Sequence, residues 1–584
     1  MTMLAFAETC DRIGATTKKL QKTALAAAYL RSLAVEEAAT AVIFLSGRPF
    51  PAYEQATLQV GGTLIWRVIG ELSGKSDDEM AEIYRRRGDA GSVAADALAE
   101  RPESRLPLTE VQRTFSEIAA ARGPAAKTTL LRQLLDRATP LEAKYIVKII
   151  SGDLRIGLKE SLVEEAIARA FEAPLDHVQR ANMLLGDLGE TLRLATSRKL
   201  ADAGLRLFHP IDFMLATPVE SSEEALACFP NASVEDKYDG IRAQAHISRG
   251  EVRIFSRTRD EITESFPELP MVLAGLPKDA ILDGEIIAWK SARDRSAEGR
   301  ALPFSTLQPR LGRKKVSAKL MRDVPIAYLV FDILYAGGEL LLDRPLAERA
   351  RILNDLLAAP RTAMVHRLAA QSSLDFGALD ENDSDQTALA QVLRASVGTA
   401  SSPGHLDALF AAARHRGNEG LMIKDLDSFY TPGRRGKAWL KMKQELARLD
   451  VVVTAVEYGH GKRIGVLSDY TFAVWDGDRL VNIGKAYSGL TDLEIAEMTK
   501  WFLAHKTSEQ GMRLEVEAKI VLEVAFNNLM RSTRHDSGYA LRFPRIARLR
   551  PDKRPEDADT VETVKKIYDR EHSDREHSDR EHSA

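Results

Sequence analysis

The chain reads as a multidomain protein: an all-α N-terminal domain, an antiparallel α+β domain, a small β-barrel of the OB type and a disordered C-terminal tail. Three observations carry that reading. Residues 1–205 are dominated by Ala- and Leu-rich stretches with helical spacing. From His209-Pro210 onward, short apolar runs alternate with turns. Residues 569–584 repeat DREHS, a unit with no apolar side chain that cannot bury a core. The length of 584 residues fits this division, since a domain takes roughly 150 residues.

The elements follow in order. Lys18 to Leu45 lacks Gly and Pro and places Leu25, Tyr29 and Leu33 one turn apart, which reads as helix. Leu130, Leu131, Leu134 and Leu135 form a second helical stripe. Pro140 opens a further helix with Leu141, Tyr145 and Ile149 on one face, closed by Ser151-Gly152. Ser161 and Glu164 have the spacing of a capping box. Over 206–446 the strands are expected at IRAQAHI, EVRIFS, AILDGEIIAW, IAYLVFDILY, GLMIK and AWLKMK, with helices at 345–358 and 404–416. Their short connections imply mostly antiparallel pairing. Over 447–568, VVVTAVEYG, DYTFAVWDG and RLVNIGKAY precede a helix at 491–505 and strands from 513 to 526, the pattern of a five-stranded barrel.

Composition narrows the function. Lys and Arg number 81 against 84 Asp and Glu, a net charge of −3. Ten acidic and five basic residues lie in 556–584, so the rest of the chain is close to neutral. Any nucleic-acid binding must come from local basic patches. Two cysteines, Cys10 and Cys228, exclude a four-cysteine zinc site and a disulfide framework and fit a reducing cytoplasm. No apolar run reaches the ~18 residues of a membrane span, and the N-terminus does not read as a secretory signal.

VEDKYDGIRAQAH (234–246) sets Lys237, Asp239 and Arg242 within six positions. A KxDG turn alone is too short to be specific. A reactive lysine needs an amine with a lowered pKa, through burial or nearby cations. In AWLKMK, Lys441 and Lys443 share one face of a strand, suited to phosphate oxygens, with Leu440 and Met442 on the other. In ILDGEIIAW, Asp283 and Glu285 share a face of an apolar strand and need a metal, a hydroxyl or a cation as partner. In NEGLMIK, Glu419 leads a strand on which Met422 and Lys424 point the same way.

KYDGIR, SRTRD, LDGE, VFDILY, EGLMIK and WLKMK occur in this order, with RLRPDK after the barrel. Together they resemble the motifs of the covalent nucleotidyltransferases, and EDKYDGIRAQAH, YTPGRRGKAWLKMK and YALRFPRIARLRPDK are similar to cellular ATP-dependent DNA ligases in particular. KYIVKIISGDLRIGL (144–158) looks like part of the DNA-binding domain of that family. The resemblance implies that Lys237 attacks the α-phosphorus of ATP to form lysyl-AMP, passes AMP to the 5′-phosphate at a nick, and lets the 3′-hydroxyl displace it, in replication, repair and recombination. It implies that Glu235 accepts from the adenine amine, that Phe331 stacks on the base and that Met422 closes its other face. Arg242 and Arg257 match contacts to ribose or the nick 5′-phosphate. Glu285 and Glu419 match ribose and metal carboxylates, with Mg²⁺ the natural ion. Lys424 and Arg435 fall among the nucleotide contacts, and Lys441 and Lys443 neutralise the α-phosphate. Arg550 and Lys553 swing in with the barrel to orient pyrophosphate. Asp239 positions its loop or serves a phosphate-bound metal. The basic runs at Arg310, Arg313, Lys314 and Lys315 (with Lys319 and Arg322) and at Arg155 and Lys159, solvated faces in most proteins, become contacts to the phosphates of nicked duplex DNA. A monomeric, cytoplasmic, nucleoid-associated prokaryotic enzyme is expected, with no sliding-clamp peptide evident. An RNA ligase or capping guanylyltransferase is the alternative within the superfamily, and a non-catalytic DNA-binding scaffold the alternative outside it.

Overall fold

A computed structural model describes residues 2–98, 106–228, 232–290, 299–359, 390–443, 447–460 and 463–570. The DREHS repeat beyond Arg570 lies outside the described residues. No helix among the described residues is long and apolar enough to cross a membrane.

The N-terminal region is helical from Met3–Gly14 to Leu188–Thr196, with one core in which Phe6, Phe44 and Phe115 meet edge to face. The segment 18–45 divides into two helices, Lys19–Arg31 and Val35–Leu45. Ser32 ends the first: its hydroxyl donates to the Tyr29 carbonyl at 2.7 Å, replacing a helical partner. Glu36 and Glu37 then complement the positive end of the second helix. The helix Pro140–Ile150 starts where the proline predicts, with Thr139 and Glu142 forming a capping box. The capping box expected at Ser161 does not form. That helix, Glu160–Ala170, begins two residues earlier, with Lys159 rather than Ser161 at its N-cap. Glu164 instead accepts from the Asn182 amide at 2.8 Å, and burial pushes its carboxyl up to about 7.

The middle region is built on two sheets. The first orders its five strands Leu215–Val219, Arg435–Lys443, Gly420–Asp425, Ala232–Lys237 and Val397–Gly398. The second runs Glu251–Ser256, Ile241–Ser248, Ala280–Lys290, Ile326–Ala336 and Glu339–Leu340, with two further short strands at its side. Pairing is antiparallel except between Leu215–Val219 and Arg435–Lys443 and between Ile326–Ala336 and Gln391–Arg394. The strand Ala280–Lys290 is apolar on both faces because both are covered. Leu282 and Ile286 pack with Leu269 and Leu353 of the helical layer, while Ile281 joins Leu334, Trp439 and Met214 in the seam between the sheets. The expected helices stand at Leu346–Ala358 and Pro403–His415.

The C-terminal region is OB-like, a curled sheet of seven strands rather than the five expected, with a separate hairpin of Asn528–Arg531 and Tyr539–Arg542. The long strand Ala447–Tyr458 causes the curl. One edge pairs with Leu467–Asp476; the other pairs first with Val521–Phe526 and then with Arg513–Val516. The expected helix spans Asp492–Ala504.

Candidate active site

Lys237 is the last residue of its strand in the first sheet, and Ile241 opens a strand of the second. The Tyr238-Asp239-Gly240 link is thus where the chain crosses between sheets. The crossing is close: a Cβ on Gly240 would lie 2.3 Å from the Ile286 carbonyl oxygen, so glycine is required there for contact with the Glu285 strand.

Strand register assembles the rest. Glu235 lies opposite Met422, which lies opposite Lys441; Lys237 lies opposite Gly420, which lies opposite Lys443. Directly opposed residues share a face, so two rows cross the sheet toward the second sheet. Gly420, at φ +146°, keeps the second row open, and a Cβ there would strike the Met442 carbonyl oxygen at 2.2 Å. A cleft of roughly 480 Å³ lies over these rows and is also lined by Arg242, Arg257, Thr258, Glu285, Phe331 and Arg435. From the C-terminal region Asn527 and Phe543 reach it.

Charge in the cleft is partly neutralised. Glu419 pairs with Lys237 at 2.5 Å and Lys443 at 2.8 Å. Burial opposes its ionisation, yet the two ammonium groups hold its carboxyl down to about 2. Glu285 goes the other way: burial pushes it up to about 7 although Lys237 and Arg242 favour its charged form. Burial lowers the Lys441 pKa, and Lys443, Arg435, Lys237 and Arg257 lower it further. Lys424, 1% exposed, pairs with Glu235 at 2.5 Å and sits 4.4 Å above the Phe331 ring. Arg242 forms a bidentate pair with Asp283 (3.1 and 2.7 Å), donates to the Met214 carbonyl, and lies among the Phe213, Phe331 and Trp439 rings.

The residues singled out in the sequence divide sharply. Glu235, Lys237, Asp239, Arg242, Arg257, Glu285, Phe331, Glu419, Met422, Lys424, Arg435, Lys441 and Lys443 all line the one cleft. Arg550 and Lys553 do not: both bind Asp450 of the C-terminal region, at 2.9 and 2.7 Å. Arg155, Lys159, Arg313, Lys314 and Lys315 are exposed. The loop carrying Arg155 is anchored from inside by Lys22, whose ammonium donates to the carbonyls of Ile13 and Ile156. Arg310 corrects the expectation of a DNA contact. It is fully buried, in a bidentate pair with Glu268 and bonded to the Ser265 and Val324 carbonyls, so its guanidinium is enclosed in the fold and out of reach of DNA.

Two groups were not foreseen. Arg542, in the quoted YALRFPRIARLRPDK, closes on Asp239 at 2.8 Å and ties the C-terminal region to the residue two past Lys237. Trp439, in WLKMK, lines the cleft beneath Phe331 with centroids 6.1 Å apart. Both lay inside motifs already noticed, but only register and domain packing give them partners.

An amine held between two sheets and faced by more cations than carboxylates suits one class of chemistry, transfer of a nucleotide through a covalent lysine adduct. The fold and cleft are those of a covalent nucleotidyltransferase. Family models for the DNA ligase N terminus, the ATP-dependent DNA ligase domain and the ATP-dependent DNA ligase C-terminal region match residues 2–168, 213–443 and 463–553. A protein named "Probable DNA ligase" from Koribacter versatilis is 58% identical over 570 residues, covering 97% of this chain and 96% of that one. A DNA ligase from Methanothrix thermoacetophila is 37% identical over 583 residues, covering 96% and 97%. Among solved structures, a chain described as Pmar-Lig_PreS3 superposes over 93% of this chain and 99% of its own, with a TM-score of 0.57 at 17% identity, which speaks to the fold alone. The chain belongs to the family of ATP-dependent DNA ligases: it is an enzyme that uses ATP and joins DNA.

Proposed function

We propose that Lys237 is the residue that carries AMP, and that the enzyme seals nicks in duplex DNA as a monomer. The supporting observation is the position of Lys237 at the crossing between the sheets, where register sets Lys441 and Lys443 beside it. In this reading the Lys237 amine forms a P–N bond to the α-phosphorus of ATP as the bond to pyrophosphate breaks. AMP moves to the 5′-phosphate at the nick, and the 3′-hydroxyl displaces it. Such chemistry is mainly positioning and charge neutralisation. Lys441, Lys443 and Arg435 face the phosphate, Arg257 faces the phosphate or the nick end, and Glu235 with Phe331 and Met422 receives the adenine. Arg242 acts on these from behind, since Asp283 occupies its fork. Asp239, bound to Arg542, positions the crossing loop and the C-terminal region together.

Mg²⁺ fits the donors present. Glu285 and Glu419 are the carboxylates facing the phosphate site, and no group of three or more His, Cys, Asp or Glu is gathered among the described residues. Mg²⁺ commonly takes one or two carboxylates, substrate phosphates and retained waters. Bound there, it would supply charge neutralisation at the phosphates. Arg155, Lys159, Arg313, Lys314 and Lys315 contact DNA phosphates without reading sequence, which makes binding strongly salt-dependent. The deciding experiment supplies a nicked duplex with ATP, with NAD, or as nicked RNA, and follows label from ATP onto the denatured protein. Sealing and labelling with ATP on DNA are expected. Label from GTP alone would overturn the reading.

A further inference from the structure

Arg257 lines the cleft, yet among the described residues it makes no ion pair or side-chain hydrogen bond. A long cation without such a partner is placed by its backbone alone. That backbone is a turn, closed by Ser256 N–H to the Asp260 carbonyl and Arg259 N–H to the Ser256 carbonyl, both at 2.8 Å. The helical region grips this turn. The Gln55 amide nitrogen donates to the Arg259 carbonyl at 3.1 Å, and its oxygen accepts from the Glu261 N–H at 2.7 Å. Arg259 holds a φ of +71°, a left-handed conformation uncommon for a residue with a side chain. Its guanidinium is held by Asp212 at 3.3 Å and by Glu160 of the helical region at 3.8 Å. Two residues before Gln55, the Tyr53 ring stacks on His209 with centroids 4.0 Å apart and planes 2° from parallel. The segment that carries Gln55 is therefore itself fixed to the catalytic region.

We propose that Gln55 is a positioning residue: from the helical domain it sets the turn that presents Arg257 to the nucleotide cleft. The helical domain then completes the reaction site as well as meeting the DNA. This rests on reading Arg257 as a contact to the phosphate or nick end. A side-chain amide suits the task, because one planar group offers the donor and the acceptor that the two sides of residue 260 require. Carboxylate or ammonium groups offer one kind only.

The test is a double-mutant cycle in the full-length protein with Gln55→Ala, Arg257→Ala and both. Two rates are read: lysyl-AMP formation against ATP concentration, and sealing of a pre-adenylated nick. Gln55→Ala should slow whichever step Arg257→Ala slows, by about five- to tenfold as expected for two exposed hydrogen bonds, with the same division between KM and maximal rate. The double variant should match Arg257→Ala alone. Gln55→Glu keeps the size but sets a carboxylate oxygen against the Arg259 carbonyl, and should lose as much as Ala while melting at the parent temperature. Additive losses, or a Gln55→Ala enzyme at full rate beside an impaired Arg257→Ala enzyme, overturn the positioning role alone. Full rates in Arg257→Ala for both steps remove the reading of Arg257, and the positioning role with it.

Discussion

Two clusters of the same region set cations against carboxylates and finish differently. Arg349 and Asp332 are both fully buried and bidentate, and the remaining Arg349 nitrogen donates to the Arg344 and Ser428 carbonyls. Charge and donors are matched within the protein, so no ligand is needed. In the cleft, Lys237 and Lys443 share the single carboxylate of Glu419, while Lys441, Arg257 and Arg435 stand near without an ion pair among the described residues. Three other acids are engaged, Asp239 by Arg542, Glu235 by Lys424 and Asp283 by Arg242, and burial holds back the charge of a fourth, Glu285. A structural cluster closes its own account of charge; a reaction site leaves cations that an anionic substrate must neutralise. Surplus, rather than the presence of charge, separates the two.

That contrast can be broken at either end. The largest effect is expected for Lys237→Ala, which removes the proposed nucleophile: the covalent adduct disappears and sealing falls by on the order of 10⁴-fold or more. Its melting temperature should stay near the parent value, and an adduct surviving denaturing electrophoresis would refute the assignment. Next is Arg349→Ala, which strands a buried carboxylate. Denaturant unfolding should show a loss of about 3–5 kcal/mol, with the folded fraction still forming adduct. If stability holds, the structural cluster is not closed in the sense drawn above. Lys443→Ala removes one surplus cation, so adenylation should slow by about 10²-fold without loss of stability. A large stability loss instead would place Lys443 with the structural cluster.

The smallest effect concerns a buried group that stays neutral. Burial pushes His246 down to about 3 from an ordinary 6.5, and its Nδ1 accepts from the Phe208 N–H at 3.0 Å. The unfolded chain takes up the proton first, so stability is full above about pH 6.5 and falls as pH drops toward 3. The slope from this residue is about 1.4 kcal/mol per pH unit. His246→Asn keeps an acceptor for Phe208 and should flatten the unfolding free energy between neutral and mildly acid pH. An unchanged slope would mean that another group governs it.

Much of this was legible in the sequence, for a local reason. Strand alternation repeats every two residues, so Lys441 with Lys443 and Met422 with Lys424 could be placed on shared faces from spacing alone. Arg310 could not be placed, because a basic run looks alike whether its members face water or, like Arg310, pair with a carboxylate 42 residues earlier. The Asp239–Arg542 contact spans 303 positions and joins two regions, and no periodicity reports such a meeting. The break at Ser32 was hidden for the opposite reason. Its cause, a hydroxyl turned back on a carbonyl, is as local as can be, but serine is common enough inside helices to carry little signal.

The crossing between the sheets has a mechanical consequence. Lys237 belongs to the first sheet by its hydrogen bonds and to the second by three residues of chain, so it stands at the pivot between them. A small rotation of one sheet against the other would carry the far strands, Leu215–Val219 and Glu339–Leu340, through larger arcs and leave the Lys237 backbone almost still. The amine is the fixed point of such a motion, and the outer strands carry the displacement.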